Sequence, residues 1–162
     1  MTDVVVSDAT SLIVLEKLYR LDLIEQLFDK VIIPDVVMAE VRRGSKNQGM
    51  DFDAYDCFQT TAVASSERLD QLLSLLDPGE ANAIELAASR NLPLIIDERK
   101  GRDIAQQMGL RITGFAGLLI LSRRRGLMAA DEADQLLSAA TENGLYLSDA
   151  LLAQVNEQLT QG

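Results

Sequence analysis

Histidine and tryptophan are absent from this chain of 162 residues, and there is a single cysteine, Cys57. Without histidine there is no Ser-His-Asp or Cys-His nucleophile system, no HExxH zinc site and no imidazole general base. One cysteine excludes an intrachain disulfide and any CxxC metal or redox motif, and beside Phe58 it reads as a small hydrophobe. Aromatics make up 4% of residues, so the core supplied by a hydrophobic fraction of 48% must be built from Leu, Ile, Val and Ala. What is left for chemistry is carboxylate, Lys/Arg, Ser/Thr and Tyr. Hard oxygen ligands of that kind select Mg²⁺ or Mn²⁺ over softer metals.

Long apolar runs are missing as well. Asp3 and Asp8 interrupt the N-terminus too early for a signal peptide. Leu118–Leu121, with Phe115 and Ala116 before it, falls short of the ~18 residues a membrane span requires. The expectation is a soluble, cytoplasmic protein without a membrane partner, folded as one domain over residues 1–162.

Positive charge is scarce overall, with a formal net charge of −10 that argues against broad nucleic-acid binding. Its distribution is uneven. Residues 90–125 hold eight Lys/Arg against three acids, whereas residues 126–162 hold six acids and no Lys/Arg. The segment between them and the acidic N-terminal part is thus a basic island, and a local positive field matters more to an anionic substrate than the total.

Strands alternating with helices predict an α/β fold with a mostly parallel sheet. Val4–Ser7 reads as a buried strand, followed by Leu12, Leu15, Leu18 and Tyr19 at helical spacing and a second short helix through Leu23, Ile24, Leu27 and Phe28. Val31–Ile33 is a second strand. Pro34 opens a helix with Arg42 and Arg43 in its last turn and a stop at Gly44. Residues 45–56 read as an exposed polar loop. A strand from Phe58 to Val63 precedes a helix over 66–76 with Leu69, Leu72, Leu73 and Leu76 inward, and Asp77-Pro78-Gly79-Glu80 starts a helix to about Arg90. Leu92–Ile96 is a strand ending at Asp97. Then come a helix over 99–108, a short strand at Leu110–Thr113, an apolar helix from Gly114 through Leu121, and two helices at about 131–142 and 148–159 that flank Gly144.

Two strands therefore run into aspartates, Asp8 and Asp97. The carboxyl ends of parallel strands converge on one edge, which is where α/β proteins bind ligands, so the two carboxylates are expected to be neighbours. Like charges held close repel unless one takes a proton or a cation sits between them. Glu40 lies at the margin of its helix's apolar face, and Glu80 in the first turn of its own. Each has a structural alternative. Asp8 and Asp97 can cap the helices that follow, Glu40 can pair with Arg43, and Asp77-x-x-Glu80 matches a capping box with Pro78 at the first helical position.

Five stretches in order carry a resemblance: Val4–Ile13, Ile32–Val41, Leu76–Ala87, Leu94–Arg102 and Ile112–Leu119. They resemble the motifs of the PIN-domain ribonucleases, over about residues 3–151, and are most similar to a PIN-like subgroup of formerly unknown function. The resemblance implies a three-layer α/β/α fold and a metal-dependent ribonuclease. It implies Asp8, Glu40, Glu80 and Asp97 as the acidic cluster holding Mg²⁺ or Mn²⁺, with Thr10 as a hydroxyl close to the metal. Arg99, Lys100 and Arg102 just beyond Asp97, with Arg42 and Arg43 on the opposite rim, are the candidate phosphate contacts for an RNA substrate. It further implies a homodimer and a small antitoxin partner, as for the toxin of a toxin–antitoxin pair. The competing reading is a catalytically weak or inactive PIN-like interaction module. Two positions depart from the family's usual pattern: many PIN nucleases place Asp where this chain has Glu80, and another acid shortly after Asp97. Here Glu98 is adjacent to Asp97, and strand alternation predicts that it points the other way.

Overall fold

A computed structural model describes residues 3–45, 50–147 and 149–160. The elements in chain order are β1 (Val4–Ser7), α1 (Ala9–Lys17), α2 (Leu21–Leu27), β2 (Lys30–Pro34), α3 (Asp35–Gly44), β3 (Phe58–Thr61), α4 (Glu67–Leu73), α5 (Pro78–Arg90), β4 (Leu94–Ile95), α6 (Arg99–Gln107), β5 (Ile112–Thr113), α7 (Phe115–Arg124), α8 (Ala130–Glu142) and α9 (Asp149–Thr160). The five described strands form one all-parallel sheet in the order β3-β2-β1-β4-β5. With helices on both faces this is the three-layer α/β/α arrangement expected from the sequence. No helix among the described residues is long and apolar enough to cross a membrane.

The strand order places the first strand at the centre. From β1 the chain winds outward to β2 and β3, then returns to β4 and β5 on the other flank, so the order reverses between β1 and β4. Val5 and Val6 are fully buried, as are Val31 and Ile33 of β2 and Leu94 and Ile95 of β4. These short β-branched runs have no polar face because both faces of a parallel sheet are covered. Helix α5 lies against β1, β2 and β4 and packs on α3, α4 and α6, while α7 gathers α2, α8 and α9. Its N-terminus is thereby brought to the reversal point.

Several sequence expectations need correction. Of the loop expected over 45–56, residues 46–49 lie outside the described residues, and the remainder is not simply exposed. A 3₁₀ turn spans Met50–Ala54, and Phe52, 2% exposed, packs edge-on against Phe58 at a ring separation of 5.0 Å. Tyr55 meets the same ring. The apolar signal was there, in Phe52, Tyr55 and Phe58 three residues apart, but acidic neighbours mask it. Tyr19 is outside α1 and largely exposed, with a left-handed φ of 58°. The amides of Tyr19 and Arg20 bond back to Glu16 and Leu15, closing the helix in a Schellman turn usually given to glycine. Leu73 is exposed, because the stripe of α4 is already completed by Leu69, Leu72 and Leu76.

Two charge groups serve the fold. Glu85, buried on α5, accepts hydrogen bonds from Arg68 Nε at 2.6 Å and Ser66 Oγ at 3.1 Å, tying α4 to α5. In the basic island, Arg123 donates to the carbonyl of Leu159 and Arg125 to that of Leu27, so both hold the carboxyl ends of other helices. Cys57 is buried, and burial pushes its thiol up to about 11, which suits a packing residue and not a nucleophile.

If the 3₁₀ segment belongs to the core, Phe52→Ala should lower the unfolding free energy by about 3 kcal/mol in equilibrium urea denaturation. A loss near zero would mean that the segment only lies over the core.

Candidate metal centre

The functional candidates collect where the strand order reverses. Asp8 follows β1 directly, and its backbone N–H donates to Ile95 O of β4 at 2.9 Å. Asp97 follows Ile96 at the end of the neighbouring strand. Strand pairing thus brings the two residues to the same edge of the sheet.

Their surroundings differ. Asp8 occupies the N-cap position of α1 with extended backbone, yet its side chain makes no capping bond. It is 5% exposed, and its Oδ1 is buried without a hydrogen-bond partner. Burial pushes its carboxyl up to about 7, with Glu40, Asp77 and Asp97 adding to the rise and the Ala9 amide opposing it. Asp97 is anchored at both oxygens. Ser11 Oγ donates to Oδ2, and the Phe115 N–H donates to Oδ1 at 2.9 Å. Arg102 lies beside it, donating to Ile96 O at 2.8 Å. Gly114 makes this approach possible, since a Cβ there would fall 2.5 Å from Asp97 Oδ1 and 2.9 Å from Arg102 Nη1. Burial still leaves the Asp97 carboxyl above its ordinary range, despite Ser11, Phe115 and Arg102.

Glu40 is half-buried on α3. Burial and Asp77 raise its carboxyl, and Arg43 lowers it. Glu80, at the start of α5, is buried, and its carboxyl is pushed well above the ordinary range by that burial and by Asp77, Glu98 and Asp8. Half of the capping box exists, because Asp77 Oδ1 accepts the Glu80 N–H at 2.8 Å. The Glu80 side chain, however, meets the Asp77 carboxyl. Its Oε2 also lies 3.5 Å from where a Cβ on Gly101 would stand.

Gly79 marks the focus of the site. A Cβ there would stand 3.3 Å from Glu40 Oε1 and 3.5 Å from both Asp77 Oδ1 and Asp8 Oδ1. The absent side chain lets carboxylates from three elements approach the backbone at the start of α5. Among the described residues no three acidic or thiol side chains stand in a ready-made coordinating array. The donor set nevertheless suits a hard divalent cation. It consists of carboxylate oxygens alone, one of them buried and unpaired, and Mg²⁺ bound by one or two carboxylates keeps its remaining positions for water.

The remaining candidates are placed as follows. Thr10 stands with Asp97 on the wall of a groove of about 900 Å³ that runs between α6 and the 144–147 segment and α9. It is Ser11, one residue on, whose hydroxyl meets a site carboxylate. Arg99 and Lys100 are exposed in the first turn of α6, and Arg99 borders the groove. Arg42 is turned away from the acids towards Asp53, at 4.0 Å, beside a smaller cleft under the 3₁₀ turn. Glu98 is no strand residue, because β4 ends at Ile95. It caps α6, accepting the Gly101 N–H at 2.8 Å, and remains within electrostatic reach of Glu80. Sequence reasoning missed Asp77 and Ser11 as members of the constellation. Asp77 was hidden behind its own capping signature, and Ser11 becomes visible only once α1 is docked against β4.

A parallel α/β sheet with buried carboxylates at its topological reversal defines an α/β protein with an acidic centre at the strand ends. A profile of the PIN-domain family matches residues 4–161, and the chain belongs to that family. PIN domains have a nuclease-type fold and generally use divalent metals. Comparison with curated proteins gives no match.

The buried acids give a pH dependence of definite sign. Asp8 binds its proton more tightly in the folded protein, at about 7, than at the ordinary value of 3.8. The stability this contributes is complete below the ordinary value and is lost as pH rises through about 7. Glu40, Glu80 and Asp97 shift in the same direction. In EDTA, thermal melts should therefore show a lower Tm at pH 8 than at pH 5, and Asp8→Asn should flatten that slope. A Tm that climbs with pH would contradict the burial of these groups.

Proposed function

We propose that the protein is a metal-dependent endoribonuclease that hydrolyses phosphodiester bonds of RNA in the cytoplasm. The observation that carries this reading is the buried, unpartnered Asp8 Oδ1, with Glu40 Oε1 near it at the backbone of Gly79, in a chain of the PIN-domain family. Asp8 and Glu40 hold the cation, and Asp97 and Glu80 complete the acidic wall. When bound, Mg²⁺ or Mn²⁺ supplies an activated water and neutralises charge on the phosphodiester.

The chain's own groups supply the rest. Ser11 and the Phe115 amide fix the Asp97 carboxylate in one orientation, and Thr10 offers a hydroxyl at the mouth of the groove. Arg99 and Lys100 take flanking phosphates, with Arg102 holding the turn between Asp97 and α6 and Arg43 beside Glu40 on the opposite rim. Arg42, engaged with Asp53, serves that rim only if it swings from its present partner. The exposed Tyr146 ring on the groove wall gives an unpaired base a stacking face, which favours single-stranded RNA. By family resemblance the protein acts as the toxin of a toxin–antitoxin pair, works as a homodimer and is held in check by a small antitoxin protein.

One observation favours a second reading, a PIN-like interaction module with weak or no catalysis. Both Asp97 oxygens are already taken by donors of the protein itself.

Cleavage of single-stranded RNA in Mn²⁺ or Mg²⁺, measured on gels, separates the two readings. The nuclease should stop in EDTA, and Asp8→Asn should slow cleavage by roughly a hundredfold or more while circular dichroism shows the fold intact. Wild-type protein that leaves RNA uncut in either metal would favour the interaction module.

A further inference from the structure

We propose that the groove leading away from Asp97 reads one unpaired base of the RNA, so that the protein cuts with a base preference set by side chains of α6 and α9. The proposal rests on the ribonuclease reading above and adds the part of the substrate that is recognised. It starts from the two walls. Arg99, Arg102, Asp103 and Gln106 line one side, at the three- and four-residue spacing that shares a single face of α6. Leu151, Gln154, Val155 and Gln158 line the other at the same spacing on α9. Between the two helices the lining is apolar or bare, with Ile112, Gly117 and Ile120.

The groove is chemically unequal along its length. The first turn of α6, with Arg99 and Arg102, adjoins Asp97 and the acidic centre. Gln106 stands two turns further on, about 10 Å along the helix axis. Among the described residues the carboxamides of Gln106, Gln154 and Gln158 have no hydrogen-bond partner, and neither does the Arg99 guanidinium. A phosphate needs donors alone, which Arg99 supplies. A carboxamide carries an acceptor beside its donors, and that pairing matches the edge of a base. Asp103 adds an acceptor for an exocyclic amino group. The exposed Tyr146 ring covers the face of the same base, and a volume of about 900 Å³ is ample for a nucleotide.

A peptide fits these walls less well. An extended segment would need a strand edge to pair with, and β5, at this edge of the sheet, is two residues long. An amphipathic helix would need an unbroken apolar strip, but Gln154 and Gln158 interrupt the α9 wall, and covering them would strand two carboxamides without partners.

Fluorescence anisotropy with labelled single-stranded oligonucleotides of A, C or U tests the proposal, on the full chain carrying Asp8→Asn so that cleavage does not interfere. Tyr146→Ala should weaken binding of all three roughly tenfold, and Tyr146→Phe, which retains the ring, should not. Gln154→Ala combined with Gln158→Ala should bring the tightest of the three down to the weakest. With Asp8 intact, fragments cut from a random-sequence RNA should share one favoured base at a fixed distance from the cut, and the double glutamine variant should erase it. All of these side chains are exposed, so circular dichroism should show an unchanged fold. The proposal is overturned if the three oligonucleotides bind alike, or if the variants keep the parent's affinity and base preference, as they would were the groove a protein-docking surface. Wild-type protein that leaves RNA uncut would overturn the ribonuclease reading itself, a result distinct from cleavage that is indifferent to Tyr146 and the glutamines.

Discussion

Strand β1 is hydrogen-bonded on both sides and covered on both faces, so the chain leaving its carboxyl end does so inside the molecule. Most of the remaining architecture follows from that. The residue after Ser7 cannot reach bulk water, and that residue is Asp8. Pairing with β4 in parallel register then sets Asp97 beside it. Right-handed winding sends the chain outward through β2 and β3 before it returns, which opens a crevice at the reversal of strand order. The same return path delivers the N-terminus of α5 to that crevice, bringing Asp77, Gly79 and Glu80 with it.

Two glycines permit what the topology requires. At Gly79 the helix backbone comes close to carboxylates from β1 and α3. At Gly114 the backbone comes close to Asp97 and Arg102. Any larger residue at Gly114 would displace Asp97 from the Phe115 amide, and one at Gly79 would intrude among the three oxygens. The site is therefore shaped as much by where side chains are missing as by where carboxylates stand.

The layout of the fold was legible because parallel strands covered on both faces must be short and uniformly apolar, and Val4–Val6, Val31–Ile33 and Leu94–Ile96 are. Asp8 and Asp97 were legible for the same reason, each being the first charge after such a run. Features that depend on tertiary approach were not. Phe52 is core only because β3 brings Phe58 under it. Ser11 and Asp97 are 86 residues apart and meet across two elements. Glu98 was assigned by strand alternation, which fails where the strand has already ended and a helix cap begins. Asp77 shows the limit most clearly, since a correct local explanation as an N-cap concealed its second environment.

The carboxylates at the crevice divide into two kinds, and the division bears on function. Asp97 is given hydroxyl, amide and guanidinium neighbours, the treatment that makes a buried acid tolerable. Asp8 receives almost none, although an unsatisfied buried polar group costs about 1–3 kcal/mol and a charged one more. A fold concerned only with stability would place an apolar residue or a paired amide there. An unpaired carboxylate retained at the innermost point, with Glu40 and Asp77 close by, is a cost that the fold alone does not offset. The satisfied acid is tied into the framework and the unsatisfied one is not, and both conditions follow from the neighbours that each strand end meets.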